Sequence, residues 1–355
     1  MSKGPQRIVC LSTETCETLY SLGEQARIVG ISGFTVRPPQ ARKEKPKVSG
    51  FTSVKHEQIL ALKPDLVLGY SDLQGDMLAE LAREGVGSVD VSSRAALLRK
   101  MAPGKARDAG NGRPLAKSRN AAWRHLPRNP SGRASFFAQR RSSSFIWNNQ
   151  TSLLMPCRAK KLAPARPRTK RQQTLELHLF NQRDIAGILR MIETLGALVH
   201  AGERARALIA ELQAGLDVIR SSAAALPRRP RVYFEEWNEP LISGIAWVSE
   251  LIELAGGEDC FAELAQFKRA KDRIIEDPQE VVLRAPELII GSWCGRRFRP
   301  EQVAARPGWQ AIAAVRTAQL YEIKSPDILN PGPAVLTDGV RQLHALISAC
   351  AQRAE

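Results

Sequence analysis

Apolar residues recur every three or four positions in the longest helical pattern of the chain, which begins near Ile185 and ends at Ala223. Ile185, Ile188, Leu189, Ile192, Leu195 and Val199 fall on one helical face, and Asn181, with Asp184 three residues on, offers an N-cap. After a break at His200, Ala201 and Gly202, a second pattern of Ala205, Leu208, Ile209, Leu212, Leu216, Ile219 and Ala223 runs on to Pro227. At 1.5 Å per residue the helix expected over 203–226 is about 36 Å long, roughly the width of a small domain. Such a rod ties two lobes together at a nearly fixed separation.

On the N-terminal side the period changes. RIVCL (7–11) and RIVGIS (27–32) read as strands around a helix over 13–22, and a basic, Pro-rich loop follows over 35–47. HEQILALKPDLVLGY then gives a helix to Lys63, a break at Pro64 and a buried strand over 66–68, before a helix over 73–84 and a strand opening at Val86. On the C-terminal side, a strand at 231–237 and the apolar strand before Gly291 alternate with helices, and Pro333 opens a last helix over 334–350. Strands alternating with helices through short connections predict parallel sheets. PQEVVLRAPELIIGSW repeats the design of EQILALKPDLVLGYS, with Pro286 and Glu287 answering Pro64 and Asp65, and Gly291 answering Gly69. The chain is expected to hold two copies of one α/β design. These are an N-terminal lobe (5–91 with 177–200) and a C-terminal lobe (230–350), joined by the helix 203–226.

Charge changes the picture at one place. The chain carries 52 Lys and Arg against 36 acids, yet 20 of those bases and one acid, Asp108, lie in 92–171, leaving 32 bases and 35 acids elsewhere. That segment lacks sustained periodicity and reads as a basic, low-complexity, disordered insert in the N-terminal lobe, between a strand beginning at Val86 and its continuation in LHLF (177–180). It is a nucleic-acid-binding arm, a solvated loop, or an inserted or out-of-frame stretch, and the last two are favoured because no RNA-binding module surrounds its aromatics.

Other chemistry is sparse. Six cysteines show no CxxC pair, and a bridge between Cys260 and Cys294 is the one considered. Glu235 and Glu236 are adjacent in a strand and point to opposite faces, the five histidines are scattered, and neither GxSxG nor a phosphate loop is present. An enzyme and a metal site are therefore not expected. In parallel sheets ligands bind beyond the carboxyl ends of the strands. Those ends carry Ser32, Gly33, Phe34, Tyr70, Trp237, Trp293, Phe298, Ser325 and Pro326, a set whose aromatics suit a large, flat, partly apolar ligand.

RIVCLSTETCETLYSLG, RIVGIS, ILALKPDLVLGYSD, PELIIGSW and the central helix together resemble the substrate-binding proteins of ABC importers for cobalamin and ferric siderophores. The resemblance covers about 5–90 and 177–350. It implies capture of cobalamin or a related corrinoid, or alternatively a ferric siderophore or haem, between two lobes, with delivery to the membrane subunits of an ABC permease. By resemblance Tyr70 falls at a ligand-stacking aromatic, Phe34 and Phe51 lie in ligand-contacting loops, and Asp76 and Glu301 are the permease-docking acids of the two lobes. Trp237, Trp293 and Phe298 complete the expected ligand-binding set. Anionic siderophores would want clustered Arg, for which Arg37, Arg296 and Arg297 are the candidates. The family also implies a periplasmic monomer with no nucleic-acid partner, whereas no apolar h-region precedes the first strand, which reads as a cytoplasmic chain or a misplaced start.

Overall fold

Strand β1 (Ile8–Cys10) is buried on both faces, as a central strand of a parallel sheet must be. The computed structural model describes residues 4–50, 53, 55–83, 87–91 and 175–353, so Phe51 and the segment 92–171 lie outside the described residues. Around β1 the N-terminal sheet adds β2 (Ile28–Ser32), β3 (Lys47–Ser49), β4 (Leu66–Tyr70), β5 (Gly87–Val91) and β6 (Leu175–Phe180) in the order β3-β2-β1-β4-β6-β5. Every pairing in it is parallel. Helices α1 (Thr13–Ser21), α2 (Pro39–Glu44), α3 (His56–Ala61) and α4 (Ser71–Arg83) make the crossovers. Helix α2 sits inside the stretch expected to be a loop, because Pro39 occupies its first turn, where the missing N–H costs nothing.

The strand expected to be interrupted is two strands. Gly87 pairs with Leu175 and Val91 with Leu179, so β5 and β6 lie side by side and parallel. A parallel pair needs a crossover of a dozen residues or more, and 92–174 occupies that place in the chain. The sheet loses no element.

The C-terminal sheet holds β7 (Arg231–Asn238), β8 (Leu241–Ser243), β9 (Glu258–Asp259), β10 (Leu288–Gly291) and β11 (Leu320–Glu322) in the order β11-β10-β7-β8, with β9 paired to β7. Only the β7–β8 hairpin is antiparallel. The duplicated design is visible atom by atom. The Asp65 carboxylate accepts from the backbone N–H groups of Gln6 and Arg7, and Glu287 accepts from that of Arg231. The Arg7 guanidinium donates to the carbonyls of Leu62 and Lys63, and Arg231 donates to that of Ala285. Lys63 and Ala285 are both left-handed, at φ 47° and 44°.

Helix α5 (Ile185–Leu198) is capped by Asp184, whose side chain accepts from Gly187 N, so Asn181 is not the cap. Helix α6 (Gly202–Ala224) is the rod, 23 residues long. Helix α7 (Ala246–Leu254), α8 (Gln279–Leu283), α9 (Pro300–Ala304) and α10 (Asp338–Ala351) complete the C-terminal lobe, with short helical turns between them. The last α-helix starts at Asp338 and not at Ala334, since Pro333–Leu336 winds as a 3-10 turn and Thr337, at φ −122° and ψ −85°, leaves helical geometry.

Three apolar clusters result. One fills the face of the N-terminal sheet that carries Val9, Val67 and Leu177, and another fills the face of the C-terminal sheet that carries Tyr233 and Ile289. The third is continuous from Ile8 and Leu66 through Ile188, Leu195, Leu212 and Leu216 to Phe234, Ile290 and Leu343. The two lobes therefore share a core through α5 and α6, which restricts motion between them more than the rod alone would.

Candidate functional site

In the N-terminal sheet the chain proceeds from β1 outward to β2 and β3, then returns to the other side of β1 as β4. The carboxyl ends of β1 and β4 thus form the topological switch point, the place where open α/β sheets bind their ligands. Tyr70 ends β4, and Ser71 turns at φ 63° straight into α4. Buried Gln74 fixes this turn by accepting from Tyr70 N at 2.9 Å and donating to the Leu11 carbonyl at 3.0 Å. The Tyr70 hydroxyl donates to the carbonyl of Gln182 at 3.2 Å, and the Arg183 guanidinium lies 5.6 Å over its ring. Burial raises the Tyr70 pKa, and among the charges acting on the hydroxyl are Arg183, Glu14 and, from the other lobe, Glu236 and Arg273. Tyr70 is buried, and the residues that touch it, Gln182 and Arg183, in turn reach Pro331 and Lys268 of the C-terminal lobe.

On that lobe, β7 runs out through Glu235, Glu236 and Trp237 to Asn238. Its pairing with β8 shifts register between Glu235 and Trp237. The Trp237 indole N–H donates to the Glu239 carbonyl at 2.8 Å, and the Arg296 guanidinium stands 5.1 Å from its ring centroid. Glu236 is held by Arg273 through two hydrogen bonds of 2.8 and 3.1 Å. Glu235 points the opposite way, fully buried, and accepts from Arg306 (2.5 and 2.8 Å), the Trp293 indole N–H (2.9 Å) and the Tyr233 hydroxyl (3.1 Å). The expected opposition of the two glutamates is what the strand shows.

Trp293 and Phe298 differ from expectation. They are 3% and 2% exposed and stack edge-on at 5.1 Å within the C-terminal lobe's core. Phe298 lies against the backbone of Gly291, where an added Cβ would meet the ring at 1.9 Å. In this structure they back the strand ends without presenting a face. Phe34 is 60% exposed in the loop after β2. Asp76 on α4 and Glu301 on α9 are exposed, and Phe51 lies outside the described residues.

Arg37, expected among arginines free to meet an anion, is occupied. It reaches Glu17 at 3.3 Å in its own lobe and Asp327 at 2.7 Å and Asp338 at 2.5 Å in the other. Beside it Glu14 is buried under Gly332, where a Cβ would meet the Glu14 Cβ at 2.8 Å. Desolvation pushes the Glu14 carboxyl up to about 7, with Glu17 adding to the rise and hydrogen bonds opposing it. The lobes also meet where the Gln182 amide donates to the Pro331 carbonyl at 2.9 Å and where Arg183 Nη1 approaches the Lys268 carbonyl at 3.5 Å. Arg183, Gln182, Arg273 and Glu14 were not expected at the site. Arg183 follows a strand whose position between β4 and β5 is set by pairing, which a sequence pattern does not carry.

Among the described residues no His, Cys, Asp and Glu group is arranged to hold a metal ion, and no helix is long and apolar enough to cross a membrane. Cys260 and Cys294 are both free thiols, so the considered bridge is not formed.

Comparison with known proteins yields a match to the periplasmic binding protein family over residues 8–107 and 159–326. A vitamin B12-binding protein of Pectobacterium carotovorum subsp. carotovorum (strain PC1) is 34% identical over 68 residues, 19% of this chain and 24% of that protein. The chain thus spans about a quarter of the length of the curated relatives it matches. Among solved structures, a periplasmic haem-binding protein from Roseiflexus sp. RS-1 superposes with a TM-score of 0.63 at 16% identity, covering 98% of this chain and 100% of that one. The periplasmic vitamin B12 binding protein of Vibrio cholerae superposes with a TM-score of 0.58 at 16% identity, covering 99% of each. At such identities the superpositions speak to the fold, a pair of α/β lobes.

Proposed function

We propose that this chain, which belongs to the periplasmic binding protein family, is the solute-capturing component of an ABC import system and holds cobalamin or a related corrinoid between its lobes. The observation that carries the reading is that the residues around the strand-end aromatic Tyr70 reach the other lobe: Gln182, which accepts from its hydroxyl, donates to the Pro331 carbonyl, and Arg183, over its ring, approaches the Lys268 carbonyl. Tyr70 stands at the switch point of one sheet and Trp237 near the end of the central strand of the other. A macrocycle inserted between such faces gains stacking and apolar contact from both sides, and backbone carbonyls and arginines at the rim meet its polar side arms. Phe34 extends the same wall from the N-terminal lobe, and Trp293 with Phe298 holds Trp237's neighbourhood rigid from behind. Asp76 and Glu301, one exposed acid per lobe, are the contacts for basic residues of the permease. The chain acts as a monomer, without nucleic acid and without covalently attached cofactor.

A second reading, capture of haem or a ferric siderophore in the same cleft, draws on the likeness to the Roseiflexus haem-binding structure. Substitution at Tyr70 tests the corrinoid reading. Tyr70→Ala should weaken cyanocobalamin binding about ten-fold or more, while Tyr70→Phe, which keeps the ring, should retain most of it. Unchanged affinity in Tyr70→Ala would remove this residue from the site.

A further inference from the structure

Two acids stand near the start of α1, and the other lobe closes over both. Glu14 and Glu17 are 3% and 8% exposed, just beyond the carboxyl end of β1. Their cover is Gly332 of the C-terminal lobe, where an added Cβ would lie 2.8 Å from the Glu14 Cβ, 3.2 Å from its Cα and 3.3 Å from Glu17 Oε2. Gly332 is extended, at φ −139° and ψ −164°, so space and not backbone conformation calls for glycine there. Glu14 Oε1 is buried and accepts no hydrogen bond among the described residues. Glu17 has a cation that Glu14 lacks. Arg37 links Glu17 at 3.3 Å to Asp327 at 2.7 Å and Asp338 at 2.5 Å on the C-terminal lobe.

The groups that act on Glu14 come from several elements. Its own helix supplies Glu17, β1 the Cys10 thiol, β4 the Tyr70 hydroxyl, and Ser12 a hydrogen bond. Beyond Glu17 stand Arg37, Asp327 and Asp338, with Arg341 4.0 Å from Asp338 and the Gln342 amide donating to Asp327 at 3.3 Å. Arg37 is thus shared by three carboxylates already. A further negative charge on Glu14 would be buried and without a cation while the lobes are joined, whereas water would reach it once they part. Desolvation accordingly holds the Glu14 proton to about pH 7, against an ordinary value of 4.5. A value raised in the joined state favours that state, fully below about pH 4.5, and the advantage is lost as pH rises through about 7. Glu17, raised by the same burial, acts with the same sign.

We propose that Glu14 beneath Gly332, with Arg37 spanning Glu17, Asp327 and Asp338, is a proton-linked latch that holds the lobes together while Glu14 is neutral and releases them when it ionises. The latch governs access to the space between the lobes and holds whichever ligand is captured there.

The test reads the separation of the lobes. Spin labels at Lys43→Cys on α2 and Gln302→Cys on α9, both exposed helix positions, are placed in the full chain with the exposed Cys294 replaced by serine. Double electron-electron resonance at pH 5.5 and pH 8.0 then gives the populations of short and long distances. The ratio of long to short should rise at least about ten-fold between the two values. Glu14→Gln, which keeps the shape and cannot ionise, should stay short at both, with only the small drift that Glu17 leaves. Gly332→Ala, which wedges the cover away, should be long at both. An unchanged distribution in the parent chain, a change of the same size in Glu14→Gln, or a short distance at both values in Gly332→Ala would each overturn the latch. Circular dichroism and a thermal midpoint near that of the parent chain verify that each variant is folded.

Discussion

Glu14 is the residue whose environment has the plainest consequence. Its carboxyl is 3% exposed, and burial lifts it from an ordinary value of 4.5 to about 7. A raised folded-state value means the neutral acid is the form the fold accepts. Its contribution is complete below about pH 4.5 and is lost as pH rises through about 7, and the full shift corresponds to about 3 kcal/mol. Urea unfolding at pH 5 and pH 8 should show lower stability at pH 8, and Glu14→Gln should flatten that slope. Glu17, raised by the same burial, leaves a residual slope of the same sign. The Glu235–Arg306 pair is a different case, since Glu235 is fully buried and accepts from Arg306, the Trp293 indole and the Tyr233 hydroxyl. Arg306→Met leaves the buried Glu235 without its cation partner and should cost about 3–5 kcal/mol by chemical denaturation. Here the sequence was a partial guide. Trp293 and Phe298 stand at a strand end as the pattern says, but the indole N–H has an acceptor in Glu235 and Gly291 leaves room for the phenyl ring, so both turn inward. Pattern locates a residue along a strand and says nothing of which buried partner claims it.

At the scale of elements, the helix–Pro–acid–strand repeat was legible because it does the same job twice. Asp65 and Glu287 each fix the start of the neighbouring strand, and Arg7 and Arg231 each donate to carbonyls just after the helix that leads into that acid. Asp65→Ala should lower stability by about 1–3 kcal/mol, as expected when buried or strand-end N–H groups lose a charged acceptor, with a similar loss for Glu287→Ala. The strand order was less legible. LHLF carries the same local pattern whether it continues β5 or lies beside it, and only the pairing of Gly87 with Leu175 decides. The α5–α6 contact is another case. Gly196 permits it, since an added Cβ would come within 2.3 Å of the Ala205 Cβ. Gly196→Ala should therefore destabilise the chain by about 1–3 kcal/mol through overpacking, despite alanine's better helix propensity.

Across the whole molecule, the continuous core through α5 and α6 and the Arg37 cluster hold the lobes together at more than the rod. Arg37→Ala removes the cation that joins Glu17 to Asp327 and Asp338, leaving three acids close together. Hydrogen exchange should rise in the turns around Asp327 and Asp338, with a stability loss of about 2 kcal/mol. Two lobes and a connecting helix followed from periodicity alone. The Arg37 cluster, the Gln182–Pro331 contact and the arginine stacks arise from residues up to hundreds of positions apart, which no local pattern brings together. Capture of a macrocycle between the lobes is most directly tested by isothermal titration of the full chain with cyanocobalamin, with Trp237 fluorescence as a second readout. The account predicts one site per chain with a dissociation constant of about 1 µM or tighter, equivalent to about −8 kcal/mol. A folded chain that releases no heat and shows no fluorescence change with cyanocobalamin, and none with iron protoporphyrin IX, would contradict it.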